Sequence, residues 1–227
     1  MSLLRDALAF LSRSNNAPVI GQAGISAGLK AIEKGDYRTA YRCLLPEAEK
    51  GHKLCQGLIG KMYEDGNGAA QDFAEAAKWY RRAAAQGYPA AQVALGVLYQ
   101  KGRGVILNHQ EALHWYRAAA AQGHAKAMYD IGTLYENGQG LERDLAEAAR
   151  WYLEAAEHGE PAGAQAVAVM YESGQGLEQN PSEAWAWFSV AANAGFPGAA
   201  RSRDALGPSL SGAQMEEARR LRDQRTR

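Results

Sequence analysis

The sequence predicts an all-α protein, a right-handed α/α superhelix (solenoid) of stacked antiparallel helix pairs. The first observation is a repeat, because five glycines stand 36 residues apart without an insertion: Gly51, Gly87, Gly123, Gly159 and Gly195. The second is the spacing of apolar residues by three and four positions within each repeat, which is typical of helices with one buried face. Since one such pair is too small to bury both of its apolar faces, neighbouring pairs are expected to stack.

Further columns of identical residues keep the same register. They are the tyrosines Tyr63, Tyr99, Tyr135 and Tyr171, the tryptophans Trp79, Trp115, Trp151 and Trp187, and the glycine pairs Gly66/Gly68, Gly102/Gly104, Gly138/Gly140 and Gly174/Gly176. Chance does not produce several registered columns over this length, so the chain is a tandem array. We interpret the columns as structural, with rings that fill space between helices and glycines that shape loops. A cofactor box or a stacking platform is the alternative interpretation of the tryptophans.

One repeat, residues 89–123, illustrates the elements. Its first helix carries the apolar residues of Ala91–Tyr99 and ends at the glycines of 102–104, which favour positive φ. Asn108 predicts the N-cap of a second helix, and Glu111 predicts a capping box in which the glutamate reaches back to the cap. The same pairing recurs as Asp72/Glu75, Asp144/Glu147 and Asn180/Glu183. Three prolines predict the start of a following first helix: Pro89, Pro161 and Pro197.

The columns read A-x-x-x-L-G-x-x-Y-x-x-G-x-G and then D/N-x-x-E-A-x-x-W-Y-x-x-A-A-x-x-G, which resembles the Sel-1-like repeat, a relative of the tetratricopeptide repeat. The fourth repeat departs at Ala168, where the others have glycine, and at Phe188, where they have tyrosine. A polar helix from Ser211 to Arg225 is expected to cap the array. The predicted domains are an N-terminal segment at 1–24, a degenerate first repeat at 25–51, Sel-1-like repeats at 52–87, 88–123, 124–159 and 160–195, and a partial repeat with the capping helix at 196–227.

Composition excludes several classes of function. The 25 Lys and Arg are balanced by 25 Asp and Glu, whereas a nucleic-acid-binding protein needs a dominant basic face. No apolar run approaches the roughly 20 residues of a membrane-spanning helix. The stretch Ala7–Leu11 is too short for the core of a signal peptide, so a cytoplasmic location is favoured. A leader trimmed from upstream would instead make the protein periplasmic or secreted.

No residue pattern predicts a reaction centre. His109 and His114 lie five residues apart and face different sides of a helix, which disfavours a shared metal. Cys43 and Cys55 flank Gly51, and buried free thiols are the favoured interpretation, with a disulfide as the alternative. The glycine loops lack the further residues of a phosphate-binding loop or a dinucleotide fingerprint. We therefore expect no catalytic residue, no metal, no cofactor and no enzymatic activity.

The resemblance implies that the first helices line a concave face and the second helices a convex one. The variable first-helix positions are therefore predicted to bind a peptide or protein partner, with Tyr129 as an aromatic anchor. The predicted partner-binding residues are Leu58, Lys61, Val93, Val97, Lys101, Lys126, Tyr129, Asp130, Thr133, Gln165 and Val169. The alternative is that these positions pack against one another or form idle surface.

The predicted function is a non-catalytic scaffold or adaptor in protein–protein interaction. The resemblance implies one alternative, an adaptor of the cell envelope in polysaccharide secretion, signalling or host contact. It also implies a remote one, β-lactam binding and hydrolysis, as in a cysteine-rich subgroup of the family. That subgroup carries a cysteine pair in each repeat, whereas this chain has two cysteines in all.

Overall fold

The computed structural model describes residues 22–226, and the regular structure in this range is helical. The helices are α1 (Gln22–Glu33), α2 (Tyr37–Glu49), α3 (Lys53–Asp65), α4 (Phe73–Ala85), α5 (Pro89–Lys101), α6 (His109–Ala120), α7 (Ala125–Asn137), α8 (Leu145–Glu157), α9 (Pro161–Ser173), α10 (Pro181–Asn193), α11 (Ala199–Leu206) and α12 (Gly212–Arg225), with a 3-10 turn (Gly207–Ser209) before α12. The predicted all-α class is confirmed. Of the predicted N-terminal segment, residues 1–21 lie outside the described residues and the rest opens α1.

The chain divides into two compact units, Met1–Gln122 and Gly123–Arg227. Within each unit, consecutive helices pack as pairs, from α1–α2 to α5–α6 in the first and as α7–α8 and α9–α10 in the second. The second helix of a pair also packs on the first helix of the next pair, as α2 on α3, α4 on α5 and α8 on α9. The apolar core therefore runs from pair to pair inside each unit, as expected for stacked repeats.

The aromatic residue that follows each tryptophan is the largest fully buried side chain of its repeat. These residues are fully buried and comprise Tyr80, Tyr116, Tyr152 and Phe188. The three tyrosine rings lie against helical glycines at 60, 96 and 132, and a Cβ added at Gly96 would lie only 2.5 Å from Cε1 of Tyr116. Trp79 and Trp187 are also buried, whereas Trp115 and Trp151 are half-buried. In these three repeats the tyrosine, and not the tryptophan, therefore lies against the glycine where the two helices approach closely.

The two glycines of each loop have different roles. The first is the left-handed C-cap of the first helix, with φ between 62° and 74°, at Gly66, Gly102, Gly138 and Gly174. The second follows two residues later and also has positive φ, between 68° and 83°, at Gly68, Gly104, Gly140 and Gly176. The first helices therefore end at the glycine loops, as predicted.

The second glycine lies close to the preceding second helix. At Gly68, Gly104 and Gly176 it lies against the first turn of that helix. A Cβ added at Gly104 would lie 2.2 Å from the carbonyl carbon of Phe73, and one at Gly68 or Gly176 would lie 2.4 Å from a carbonyl oxygen of that turn. A side chain at these positions would therefore force neighbouring pairs apart. Gly140 has the same positive φ, 75°.

The capping boxes predicted for the second helices are only partly correct. The N-cap side chains accept from the N3 amide as predicted, for example Asp72 Oδ1 from Glu75 N at 3.0 Å. The N-cap backbone amide, however, donates to a tyrosine carbonyl nine residues earlier, at 2.9 Å from Asp72 N to Tyr63 O. The same backbone bond joins Asn108 to Tyr99, Asp144 to Tyr135 and Asn180 to Tyr171. The predicted bond from the glutamate to the cap is wrong because this backbone bond already uses the amide, and Glu75 bonds Lys78 instead.

The C-terminal segment ends the second unit with a different geometry. Pro197 is predicted to start a helix, and this is wrong, since the short α11 begins two residues later. The polar helix predicted after Ser211 is confirmed as α12, and Ser211 forms a full capping box with Gln214. This helix packs on α10, where Arg225 donates to Glu183 Oε2 at 2.7 Å.

Candidate partner-binding surface

In the first unit, the predicted partner-binding residues divide into buried and accessible side chains. Leu58 on α3 and Val93 on α5 are buried, so the prediction that they face a partner is wrong. The reason is that both helices are enclosed on more than one face, with α3 buried along most of Leu54–Met62. Val97 is half-buried and Lys101 is exposed.

Lys61, the remaining predicted residue of the first unit, is held by its own helix. Its Nζ lies 2.7 Å from Asp65 Oδ1 and 3.6 Å from Glu64 Oε2. Burial lowers the pKa of Lys61, but the hydrogen bond and charge of Asp65 together with the charge of Glu64 outweigh burial, so the pKa is raised. Lys61 is therefore an ion-paired side chain at the edge of α3.

In the second unit, the predicted residues of α7 form one connected polar cluster. Asp130 is buried and accepts a hydrogen bond from Lys126. The prediction that Asp130 is accessible to a partner is therefore wrong. Tyr129 is half-buried, with its ring centroid 5.3 Å from that of Tyr152 and the Lys126 Nζ 4.7 Å from its own centroid. Burial, and then the charge of Asp130, raises the pKa of Tyr129. The Thr133 hydroxyl donates to the Asp130 carbonyl at 2.7 Å.

The predicted residues of α9 combine an apolar and a polar group. Val169 is 45% exposed, a high fraction for a large apolar side chain. Gln165 precedes it by four residues and therefore lies on the same helix face. The Gln165 Oε1 is buried, and no described residue donates a hydrogen bond to it. A buried acceptor of this kind is costly for the folded chain alone, which makes it a candidate contact for a donor from a partner.

The titratable groups show little that could carry a reaction. Cys43 and Cys55 are free thiols, and burial raises the pKa of Cys55 to about 12, which keeps it protonated at neutral pH. Within residues 22–226, no three His, Cys, Asp or Glu side chains come together as a metal site. None of the helices in that range has the length and apolar character needed to cross a bilayer.

One surface feature was missed in the sequence analysis. Ile106 and Leu107, in the loop between α5 and α6, are exposed over 89% and 55% of their surface. The equivalent residues of the other loops are Ala70/Gln71, Glu142/Arg143 and Glu178/Gln179. The sequence alone could therefore have indicated this feature, because two large aliphatic residues stand where the other loops have small or polar residues.

Comparison with known proteins agrees with this geometry. The model of the Sel1 repeat family matches residues 54–88, 89–124, 125–160 and 161–196. Each matched segment contains a first helix, a glycine loop and a second helix. A comparison with curated protein sequences gives no match.

Several solved structures are similar to the chain. A Sel1 repeat protein from Oxalobacter formigenes is 35% identical, with 76% of this chain and 68% of that chain covered and a TM-score of 0.69. A protective antigen of uropathogenic Escherichia coli strains that displays an SLR fold is 31% identical, with 85% of this chain and 41% of that chain covered and a TM-score of 0.72. This chain thus spans less than half the length of that antigen.

A more distant likeness extends to the fold alone. An immunity protein from Pseudomonas aeruginosa is 16% identical, with 99% of this chain and 81% of that chain covered and a TM-score of 0.53. The assignment itself depends on the four matched repeats and on the closer bacterial structures. The chain belongs to the Sel1 repeat family.

Proposed function

We propose that the protein is a non-catalytic adaptor that binds a peptide or protein partner through accessible first-helix residues of α7 and α9. We name these residues the first-helix surface: Lys126, Tyr129, Thr133, Gln165 and Val169. Sel1 repeat proteins are typically protein-interaction scaffolds, and their fold is generally non-enzymatic. This background supports a partner of protein nature.

The observation that carries the proposal is the pair of side chains on α9. The Gln165 side chain is half-buried and its Oε1 has no donor among the described residues, so rotation of the side chain presents this acceptor to a backbone or side-chain N–H. The exposed Val169 offers an apolar contact one turn away. A peptide presents these two groups, an N–H and an apolar side chain, at short spacing. Tyr129 of α7 packs against the buried cluster that contains Ala164 and Val167 of α9, so both parts of the surface border the same core.

The role of Tyr129 is narrower than an exposed anchor. Its ring packs on Tyr152 and lies beneath Lys126, so one side of the ring is already in contact. Such a ring is held in place before a partner arrives, which lowers the entropy cost of binding. Replacing it by alanine would also remove packing inside the unit, so other variants test the surface more cleanly.

Gln165→Leu is the sharpest test, because it separates a binding role from a structural one. Removal of a buried acceptor that has no donor is expected to leave the free energy of unfolding unchanged or slightly higher. Affinity for the partner is expected to fall about tenfold, since the hydrogen bond is lost. Affinity capture with the wild-type chain would identify the partner, and isothermal titration calorimetry with that purified protein would then compare the variants.

Val169→Lys places a charge at the exposed apolar position and is expected to weaken binding at least about tenfold. The matched control is Ala146→Lys, on an exposed position of the second helix α8, which is expected to bind as the wild type does. Equal affinity of the wild type, Gln165→Leu and Val169→Lys would contradict the proposed surface. The proposed surface would also be contradicted if Ala146→Lys weakened partner binding as much as Val169→Lys does.

A second candidate function, an adaptor of the cell envelope, is favoured by one observation. The chain is 31% identical to a protective antigen of uropathogenic Escherichia coli over 85% of its own length. Fractionation of cells that carry the native gene would test it, with the protein expected in the envelope fraction. Recovery only with soluble cytoplasmic markers would contradict this candidate and leave the adaptor proposal intact.

A further inference from the structure

The loop between α5 and α6 departs from the other three glycine loops at its tip, which we define as Ile106 and Leu107. In the other loops, the residue equivalent to Leu107 donates to a first-helix carbonyl seven residues earlier, as Gln71 Nε2 to Glu64 O at 2.8 Å, Arg143 Nε to Glu136 O at 2.9 Å and Gln179 Nε2 to Glu172 O at 2.8 Å. A leucine side chain has no hydrogen-bond donor and cannot make this bond. The second repeat thus replaces a structural polar residue by an exposed apolar one.

The backbone of this loop does not require an apolar tip. Gly102 has the same left-handed C-cap conformation as its equivalents, and Asn108 N donates to Tyr99 O at 2.9 Å. Gly104 contacts the first turn of α4, as Gly68 contacts α2. The loop therefore folds like its neighbours while its tip projects two adjacent aliphatic side chains into solvent, where a partner can cover them.

The charges around the tip indicate what kind of partner fits. Lys101 and Arg103 precede the tip and are exposed, and no Asp or Glu occurs from position 100 to position 110. The nearest following carboxylate, Glu111, lies in the first turn of α6. The Arg103 guanidinium carbon lies 5.5 Å from the centroid of the Phe73 ring, which keeps this cation beside the base of the loop. At the start of α4, beside the loop, Asp72 caps the helix and Glu75 is paired with Lys78. The two cations next to the tip therefore favour carboxylates on the molecule that covers it.

We propose that the Ile106–Leu107 tip, with Lys101 and Arg103, binds a segment of a partner protein in which aliphatic or aromatic residues are flanked by Asp or Glu. The apolar side chains of that segment cover the tip, and its carboxylates lie near the two cations. This contact is separate from the first-helix surface, because it uses other residues and is tested with other variants. Either site can therefore fail on its own.

The test uses a displayed library of random twelve-residue peptides, selected against the full chain. Peptides that bind the wild type are expected to carry aliphatic or aromatic residues among Asp and Glu. The double variant I106E/L107Q, which installs the residues of the fourth loop, is expected to bind synthetic copies of these peptides at least about tenfold more weakly. K101Q/R103Q is expected to weaken binding less and to reduce its dependence on salt.

The matched control is the converse variant E178I/Q179L, which moves the apolar pair to the fourth loop. No Lys or Arg lies between Gly174 and Asn180 there, so this variant is expected to gain no affinity for the acidic peptides. The proposal is overturned if no selected peptide loses affinity with I106E/L107Q, or if the selected peptides are rich in Lys and Arg. Self-association of the wild type that I106E/L107Q abolishes, measured by sedimentation, would assign the tip to a second copy and also overturn it.

Discussion

The third and fourth repeats bury the same aromatic position with two different pairs of residues. In the third repeat the Tyr152 ring lies against Gly132, where an added Cβ would lie 2.6 Å from two ring carbons. The Tyr152 hydroxyl donates to Glu136 Oε2 at 2.6 Å. In the fourth repeat the pair is Ala168 and Phe188, and both side chains are buried.

This difference indicates that the change from glycine to Ala168 and the change from tyrosine to Phe188 are coupled. A tyrosine whose hydroxyl bonds Glu136 holds its ring where only a glycine fits on the facing helix. A phenylalanine has no hydroxyl to make such a bond, and Phe188 and Ala168 are buried in the same cluster. Glu172, which occupies the position of Glu136 in the fourth repeat, is exposed rather than half-buried. The hydroxyl bond of the ring and the small residue on the facing helix therefore change together between the two repeats.

The largest expected effect follows from breaking this match in the third repeat. Gly132→Ala places a methyl against the Tyr152 ring and is expected to lower the free energy of unfolding by about 2–3 kcal/mol. Urea denaturation followed by circular dichroism would measure it. The double variant G132A/Y152F copies the fourth repeat and is expected to lose less than the sum of the two single changes. Additive losses would show that ring and methyl are not coupled.

Tyr152→Phe alone is expected to cost about 1.5 kcal/mol, because a hydrogen bond to a carboxylate is lost. The matched change is Phe188→Tyr, which is expected to bring no gain, since Ala168 occupies the space that the glycine leaves open in the third repeat. Chemical denaturation of both variants would measure the pair. If Phe188→Tyr raised the free energy of unfolding by as much as Tyr152→Phe lowers it, the proposed difference between the two repeats would be contradicted.

The alkaline pH dependence of stability should also differ between the repeats. Burial, and then the hydrogen bond with Glu136, raises the pKa of Tyr152 above its ordinary value of 10.0. The stability that this phenol contributes is thus complete below pH 10 and is lost as pH rises above 10, by no more than about 1.4 kcal/mol per pH unit for one proton. Unfolding from pH 9 to pH 11 is expected to show a shallower loss for Tyr152→Phe than for the wild type. Identical slopes would contradict this assignment.

The smallest effect concerns a feature that the two repeats share. Arg143 and Gln179 each donate to a carbonyl of the preceding first helix, at 2.9 and 2.8 Å. Arg143→Leu and Gln179→Leu are therefore each expected to cost about 0.5–1 kcal/mol, with similar values in both repeats. Thermal unfolding of the two variants would compare them, and a large difference would mean that the repeats differ in their loops as well as in their rings.

Much of the fold could be predicted from the sequence because its signals are local. The N-caps at Asp72 and Asn108 depend on residues two and three positions away, and the structure confirms them. The bond from the capping amide of Asp72 to the Tyr63 carbonyl could not be predicted, since it depends on how the whole loop closes. Local patterns thus predict the helices and their ends, whereas contacts across a loop can be identified only in the three-dimensional structure.

The candidate surface was harder to predict than the fold. Leu58, Val93 and Asp130 are variable between repeats, yet the structure buries them, because variability at one position does not reveal how many neighbours enclose it. Tyr129, Gln165 and Val169 stay candidates for partner contact, and the stability and binding tests above will decide their role. Ile106 and Leu107 were not predicted as a contact site because they do not belong to the columns that recur in every repeat.

The backbone bond that joins each capping amide to the tyrosine carbonyl nine residues earlier has a consequence for how such arrays diverge. It fixes the number of residues in each of these loops, so an inserted codon inside the loop would break the closure. The side chains at the two positions just before the capping residue, such as Ile106 and Leu107, take no part in this backbone bond. Single substitutions there can therefore give one module a recognition property of its own while the modules on either side are inherited unchanged.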